Sequence, residues 1–111
     1  AVAELKAAGE QDPKYVVYGL TALSEFYRHL GRPARAEPLA REAAQRTESM
    51  PAGHWYRAVV KVELANVLAD LGKPKESAAE LRPAIEVLAR RFGEGDARVN
   101  GARARLATLG S

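Results

Sequence analysis

Apolar residues recur along this chain at intervals of three and four, the spacing that gathers them on one side of an α-helix. The series run Tyr15, Val16, Leu20, Leu23, Tyr27, Leu30; Val59, Val62, Leu64, Leu68, Leu71; Leu81, Ile85, Leu88, Phe92; and Val99, Leu106, Leu109. No convincing alternating run marks a strand. The pattern predicts an all-α chain with helices near 1–8, 13–30, 33–49, 53–71, 74–92 and 96–109. The punctuation agrees. Asp12-Pro13 offers a helix cap followed by proline at the first helical position, where a missing N–H costs little. Gly31 and Gly72 stand where a chain leaving a helix wants a left-handed residue, and Pro33 and Pro74 restart the next helix after a short turn. Gly93 with Asp96 repeats the stop and restart, and Gly110 closes the last segment. Pro38 and Pro83 fall inside helices, where each removes a backbone hydrogen bond, so local bends are expected there.

The pattern also repeats. Leu30, Gly31, Pro33, Arg41 and Ala43 reappear at Leu71, Gly72, Pro74, Arg82 and Ala84, always 41 residues on. Leu23-Ser24 and Tyr27 correspond to Leu64-Ala65 and Leu68. At the ends, residues 7–14 (AAGEQDPK) parallel 91–98 (RFGEGDAR), and Leu106-Ala107 echoes Leu64-Ala65, giving a period of 41 or 42. Small residues at 24, 36, 43, 65, 77 and 84 should let helices approach closely, with large ones at 27, 68 and 81 filling the gaps. The expected organisation is one domain over 1–111: the end of a preceding repeat at 1–12, repeats at 13–52 and 53–95, and a capping helix at 96–111.

In these residues the chain resembles the tetratricopeptide repeat, in the longer form typified by kinesin light chain. The resemblance implies a right-handed α-α superhelix, a solenoid of antiparallel helical hairpins whose first helices line a concave face suited to a protein or peptide. Two positions depart from the family pattern: Pro33 and Pro74 stand where a tyrosine is common, and Ala40 where a larger residue is usual. Some co-chaperone repeats grip a C-terminal carboxylate with Lys, Asn and Arg. Here Asn66 and Arg105 fall at matching places, but Thr21, Glu25 and Gly101 replace the other groups, so the clamp is not carried over. The asparagine row of kinesin-light-chain-like repeats is absent too, its places taken by Ala22, Glu63 and Arg105.

Composition narrows the function. A length of 111 residues, with 47% hydrophobic and 28% charged, describes one ordinary globular unit. The absence of cysteine excludes disulfides, thiolate metal sites and cysteine nucleophiles. No apolar run approaches the ~20 residues needed to span a bilayer, and the start carries neither Met nor a signal-peptide core. A cytoplasmic piece excised from a longer chain is therefore expected. Twelve Arg against five Lys, with abundant Ala, suggests a GC-rich bacterial source. The net charge is only +3. From Arg82 onward six Arg outnumber the three acids by three, which favours an acidic partner. No aromatic follows Phe92 to stack on bases, so nucleic acid is disfavoured. Trp55 is read as a packing staple.

No catalytic constellation is visible. His29 and His54 stand alone and are read as solvated or capping residues. Gly93-Glu94-Gly95 is too short and too acidic to cradle phosphate. The carboxylates sit on exposed helix faces, with Glu37–Arg41 and Glu86–Arg90 placed to pair at i+4. The expectation is a chain with no enzyme activity, cofactor, metal or small-molecule substrate: an interaction scaffold from a larger signalling or regulatory protein. Following the helix pitch from the Leu23 and Leu64 stripes, its groove candidates are Tyr18, Thr21, Glu25, Arg28 and His29 on the first long helix. The third helix adds Val59, Val62, Glu63, Asn66 and Asp70, and the last adds Arg105 and Thr108. The alternative is homo-oligomerisation through the end helices, burying Val2, Leu5, Leu106 and Leu109.

Overall fold

The computed structural model describes residues 13–51 and 53–109, and among them it contains five α-helices and no strand. We number them α1 (Pro13–His29), α2 (Pro33–Arg46), α3 (Trp55–Asp70), α4 (Pro74–Phe92) and α5 (Ala97–Leu109), with one 3-10 turn at Thr47–Ser49 after α2. The predicted helix 1–8, the Asp12 cap and the Gly110 stop lie outside the described residues. Helices α1 and α2 form one hairpin, α3 and α4 a second, and α2 packs on α3 and α4 on α5.

The repeat extends to the backbone angles. Gly31 and Gly72 adopt φ of 75° and 77°. At the first corner the N–H of Arg32 reaches back to the Tyr27 carbonyl and that of Gly31 to Arg28; at the second, Lys73 reaches Leu68 and Gly72 reaches Ala69. These paired bonds satisfy carbonyls that a helix end leaves open, and they require a left-handed residue at the glycine. The next residues, Arg32 (φ −123°, ψ 62°) and Lys73 (φ −115°, ψ 66°), are held out of the helical region by the proline that follows each. Helix α3 starts differently: the His54 side chain accepts the Tyr56 N–H through Nδ1. Asp96 caps α5 by accepting the Arg98 N–H at 2.9 Å. Helices α2 and α4 run without interruption through Pro38 and Pro83.

Ser24, Ala36, Ala43, Ala65, Ser77 and Ala84 are all buried. Ser77 makes the close approach specific: its hydroxyl donates to the Ala65 carbonyl across α3 and α4 at 2.6 Å. One apolar cluster joins α1, α2 and α3 around Leu20, Ala40, Leu64 and Leu68. Two others lock α3 and α4 to α5, around Leu88 with Val99 and around Leu81 with Ala102. The Trp55 ring meets Phe92 edge-on at 5.6 Å, which ties the start of α3 to the end of α4 as a packing staple does.

The inward face of α1 is not the one expected. Val16, Val17 and Leu20 are buried with Thr21 and Ser24, whereas Leu23 is half-buried and Tyr15 and Leu30 are exposed. Apart from the side that carries Lys14, Glu25, Arg28 and His29, the apolar arc of α1 is wider than one neighbour covers, so periodicity alone did not say which part of it would be buried. Leu106 and Leu109, two of the four residues assigned to a self-association surface, are half-buried against the cluster of Leu81, Ile85 and Ala102; the other two, Val2 and Leu5, lie outside the described residues. Of the two predicted ion pairs, Glu37–Arg41 forms at 2.8 Å. Arg90 turns its Nε to the Glu86 backbone carbonyl rather than to the carboxylate, a helix-surface bond requiring no second rotamer to be fixed.

Candidate functional site

Because the chain alternates first and second helices, α1, α3 and α5 lie side by side along one surface. Between them runs a cleft of about 180 Å³ lined by Glu25 and Arg28 of α1, Val59, Val62, Glu63 and Asn66 of α3, Leu88 of α4 and Arg98 of α5. The wall is apolar where Val59, Val62 and Leu88 meet, and charged at its α1 and α5 sides.

At the α1 side a buried ion pair organises the cleft. Glu63 Oε1 accepts from Arg28 Nη2 at 2.9 Å, and Glu63 Oε2 accepts from the Ser24 hydroxyl at 2.8 Å. Glu63 is 4% exposed, so it lines the cleft as a floor residue locked beneath its neighbours and not as an exposed rim group. Burial pushes its carboxyl above the usual range, against the opposing pull of Arg28 and Ser24. Burial also acts to lower the Arg28 pKa, but Glu63 outweighs it and the net movement is upward.

The other candidates separate. Thr21 is not a groove residue: it is buried, its hydroxyl bonded to the Val17 carbonyl at 2.8 Å, because α1 turns this side toward α3. Tyr18 is exposed and meets Tyr56 edge-on at 4.9 Å. His29 is exposed at the end of α1, away from the cleft lining. Asp70 and Arg105 pair with each other, and Arg105 also donates to the Asn66 carbonyl at 3.1 Å. The Nε of Arg105 is buried without a partner. Thr108 donates to the Arg105 carbonyl within α5. The structure thus brings Glu25, Arg28, Val62 and Asn66 into one cleft, with Asp70 and Arg105 joined to it through Asn66.

Two lining residues were missed. Leu88 was assigned wholly to the core. Arg98 was counted only as part of a basic surplus, yet its guanidinium lies 3.7 Å from the Phe92 ring centroid and bonds Asp96 at both oxygens. The signal was available in principle, since Asp96-x-Arg98 is a cap followed by a cation two residues on. The aromatic platform comes from another helix.

Among the described residues no group of three His, Asp or Glu side chains converges as a metal site requires. No described helix is long and apolar enough to cross a membrane. Successive antiparallel hairpins with a repeating glycine corner define an all-α helical-repeat protein. Residues 18–50 match the family model of the tetratricopeptide repeat, which supports a repeat of that type in this segment, and the kinesin-light-chain-like form is consistent with that match. No curated protein matches the chain. Repeats of this family generally mediate protein–protein interaction and are generally non-catalytic.

Proposed function

We propose that the chain is a non-enzymatic scaffold that binds a protein or peptide partner along the cleft between α1, α3 and α5. In this reading 13–52 and 53–95 are successive repeats, followed by the helix of 96–111. The observation that carries it is the cleft itself: it draws side chains from three neighbouring first helices and from Leu88 behind them. At about 180 Å³ it is smaller than the ~300–1,000 Å³ usual for small-molecule sites. It accommodates a side chain of a larger ligand better than a whole metabolite. Its apolar wall supplies contact area, and Glu25 and Asn66 supply polar groups at the rim that fix orientation.

The test is a quantitative pulldown from the source lysate with wild type, with Glu25→Ala/Asn66→Ala, and with Lys75→Ala/Glu76→Ala on the exposed start of α4. The first double variant is expected to lose most of the captured partner and the second to retain it, both keeping a helical circular dichroism spectrum. Equal recovery by all three would overturn the groove assignment.

A further inference from the structure

Among the described residues, every charged side chain lining the cleft but one is bound to an opposite charge. Arg28 directs Nε and Nη2 at the Glu63 carboxylate, at 3.2 and 2.9 Å. Arg98 bonds both oxygens of Asp96, at 3.0 and 3.1 Å, and lies over the Phe92 ring. Glu25 is exposed at the α1 rim and makes no hydrogen bond or ion pair with a described residue. Its field reaches over the cleft floor. Burial chiefly raises the Glu63 carboxyl and the Tyr56 phenol, and the Glu25 charge pushes both in the same direction.

The arginine surplus that follows Arg82 does not supply the missing counter-charge. Arg103 is held by both oxygens of Glu94 at 2.8 Å, and Arg105 is paired with Asp70. An acidic partner, which the bare count of arginines favoured, would therefore meet cations already neutralised and a carboxylate that is not. The charge left over at the cleft is negative.

We infer that the cleft takes a basic side chain of the partner, a lysine or an arginine, with its charged head on Glu25 and its aliphatic stem along Val59, Val62 and Leu88. This rests on the reading that partner side chains enter this cleft. The chemistry of the walls matches such a side chain along its length. Lys and Arg lay their methylenes on apolar surface while the charged head stays at the water boundary, which is where the exposed Glu25 stands. Asn66 adjoins the apolar wall, and its amide oxygen accepts from an ammonium or a guanidinium. An acidic side chain would set its charge against Glu25. A neutral aliphatic one would cover the wall and leave the carboxylate without a partner.

NMR titration of the isotopically labelled whole chain tests this with pentapeptides acetyl-Gly-Ala-X-Ala-Gly-amide, where X is lysine, arginine, norleucine or glutamate. The end caps leave X as the only charge, and norleucine keeps the lysine stem without the ammonium. The lysine and arginine peptides are expected to shift the Val59 and Val62 methyls and to bind about 5-fold more tightly than norleucine, the effect of a partly exposed ion pair, with glutamate weakest. Glu25→Gln should abolish the difference between the basic peptides and norleucine, and added salt should erode it in wild type. Equal affinity for lysine and norleucine in wild type, or a difference that survives Glu25→Gln, overturns the inference and leaves the cleft standing as a binding site. Glutamate bound more tightly than lysine overturns it too. Titrations in which no peptide moves Val59 or Val62 overturn both the inference and the cleft as the partner site.

Discussion

Arg28 and Glu63 stand 35 residues apart in sequence and 2.9 Å apart in space, joining the first helices of two successive hairpins beneath the cleft. The carboxylate also takes the Ser24 hydroxyl, so its charge is held by groups on the neighbouring helix and not by its own. Glu63 is buried and Arg28 only partly so, so removing the guanidinium strands the carboxylate in a poorly solvated place, whereas Arg28 without its partner still reaches the open cleft.

Arg28→Ala is therefore expected to destabilise the fold by about 3 kcal/mol, and Glu63→Ala by less, because the Arg28 it leaves unpaired is partly exposed. The joint replacement Arg28→Met/Glu63→Leu should recover most of the loss, since it leaves no unpaired buried charge. Urea unfolding of the four proteins checks this. If the joint variant is as unstable as the sum of the singles, the pair is not the unit of stability.

The same carboxylate gives stability a pH dependence of known sign. Glu63 has its folded pKa raised above the ordinary 4.5 by burial, so between those values the native state holds a proton the unfolded chain has lost. Its contribution is complete below the unfolded value and declines as pH climbs through the folded one. Glu63→Gln should lack that decline, so the stability difference between wild type and variant should move against wild type from pH 4 to 7. Glu37, whose carboxyl is lowered chiefly by its bond to Arg41, has the opposite slope and cancels in the comparison.

At the two corners, Gly31→Ala and Gly72→Ala should each cost about 1 kcal/mol. A Cβ at either position meets nothing within 4 Å, so the cost comes from the left-handed backbone and not from a clash. Equal losses in thermal unfolding are expected, because the two corners share their hydrogen bonds and angles. A difference well beyond experimental error would show that the corners are not equivalent.

Ser77 separates size from polarity. Ser77→Ala keeps the close approach of α3 and α4 but removes the hydroxyl from the Ala65 carbonyl, and should cost about 1 kcal/mol. Ser77→Leu must push the helices apart and should cost more, about 1–3 kcal/mol from overpacking in addition. Chemical denaturation orders the three. A leucine tolerated as well as alanine would mean this contact does not set the interhelical spacing.

Much of this molecule was readable before any coordinates. The corner glycines and the prolines behind them act through their own backbone restrictions, so Gly31, Gly72, Pro33 and Pro74 announced their turns wherever they occurred. The small residues at a fixed period announced the close contacts, because only small side chains let backbones approach. What periodicity did not decide was the rotation of α1, since an apolar arc wider than one neighbour covers has no fixed inward part until that neighbour arrives. Tertiary packing made Val17 and Thr21 buried and left Tyr15 and Leu30 outside. It also turned Glu63 from a candidate at the surface into a buried anchor, and put Arg98 beside the cleft by stacking it on a ring from another helix. Local propensity is a property of the chain, whereas the choice of ion-pair partner and of the covered face depends on groups dozens of residues away.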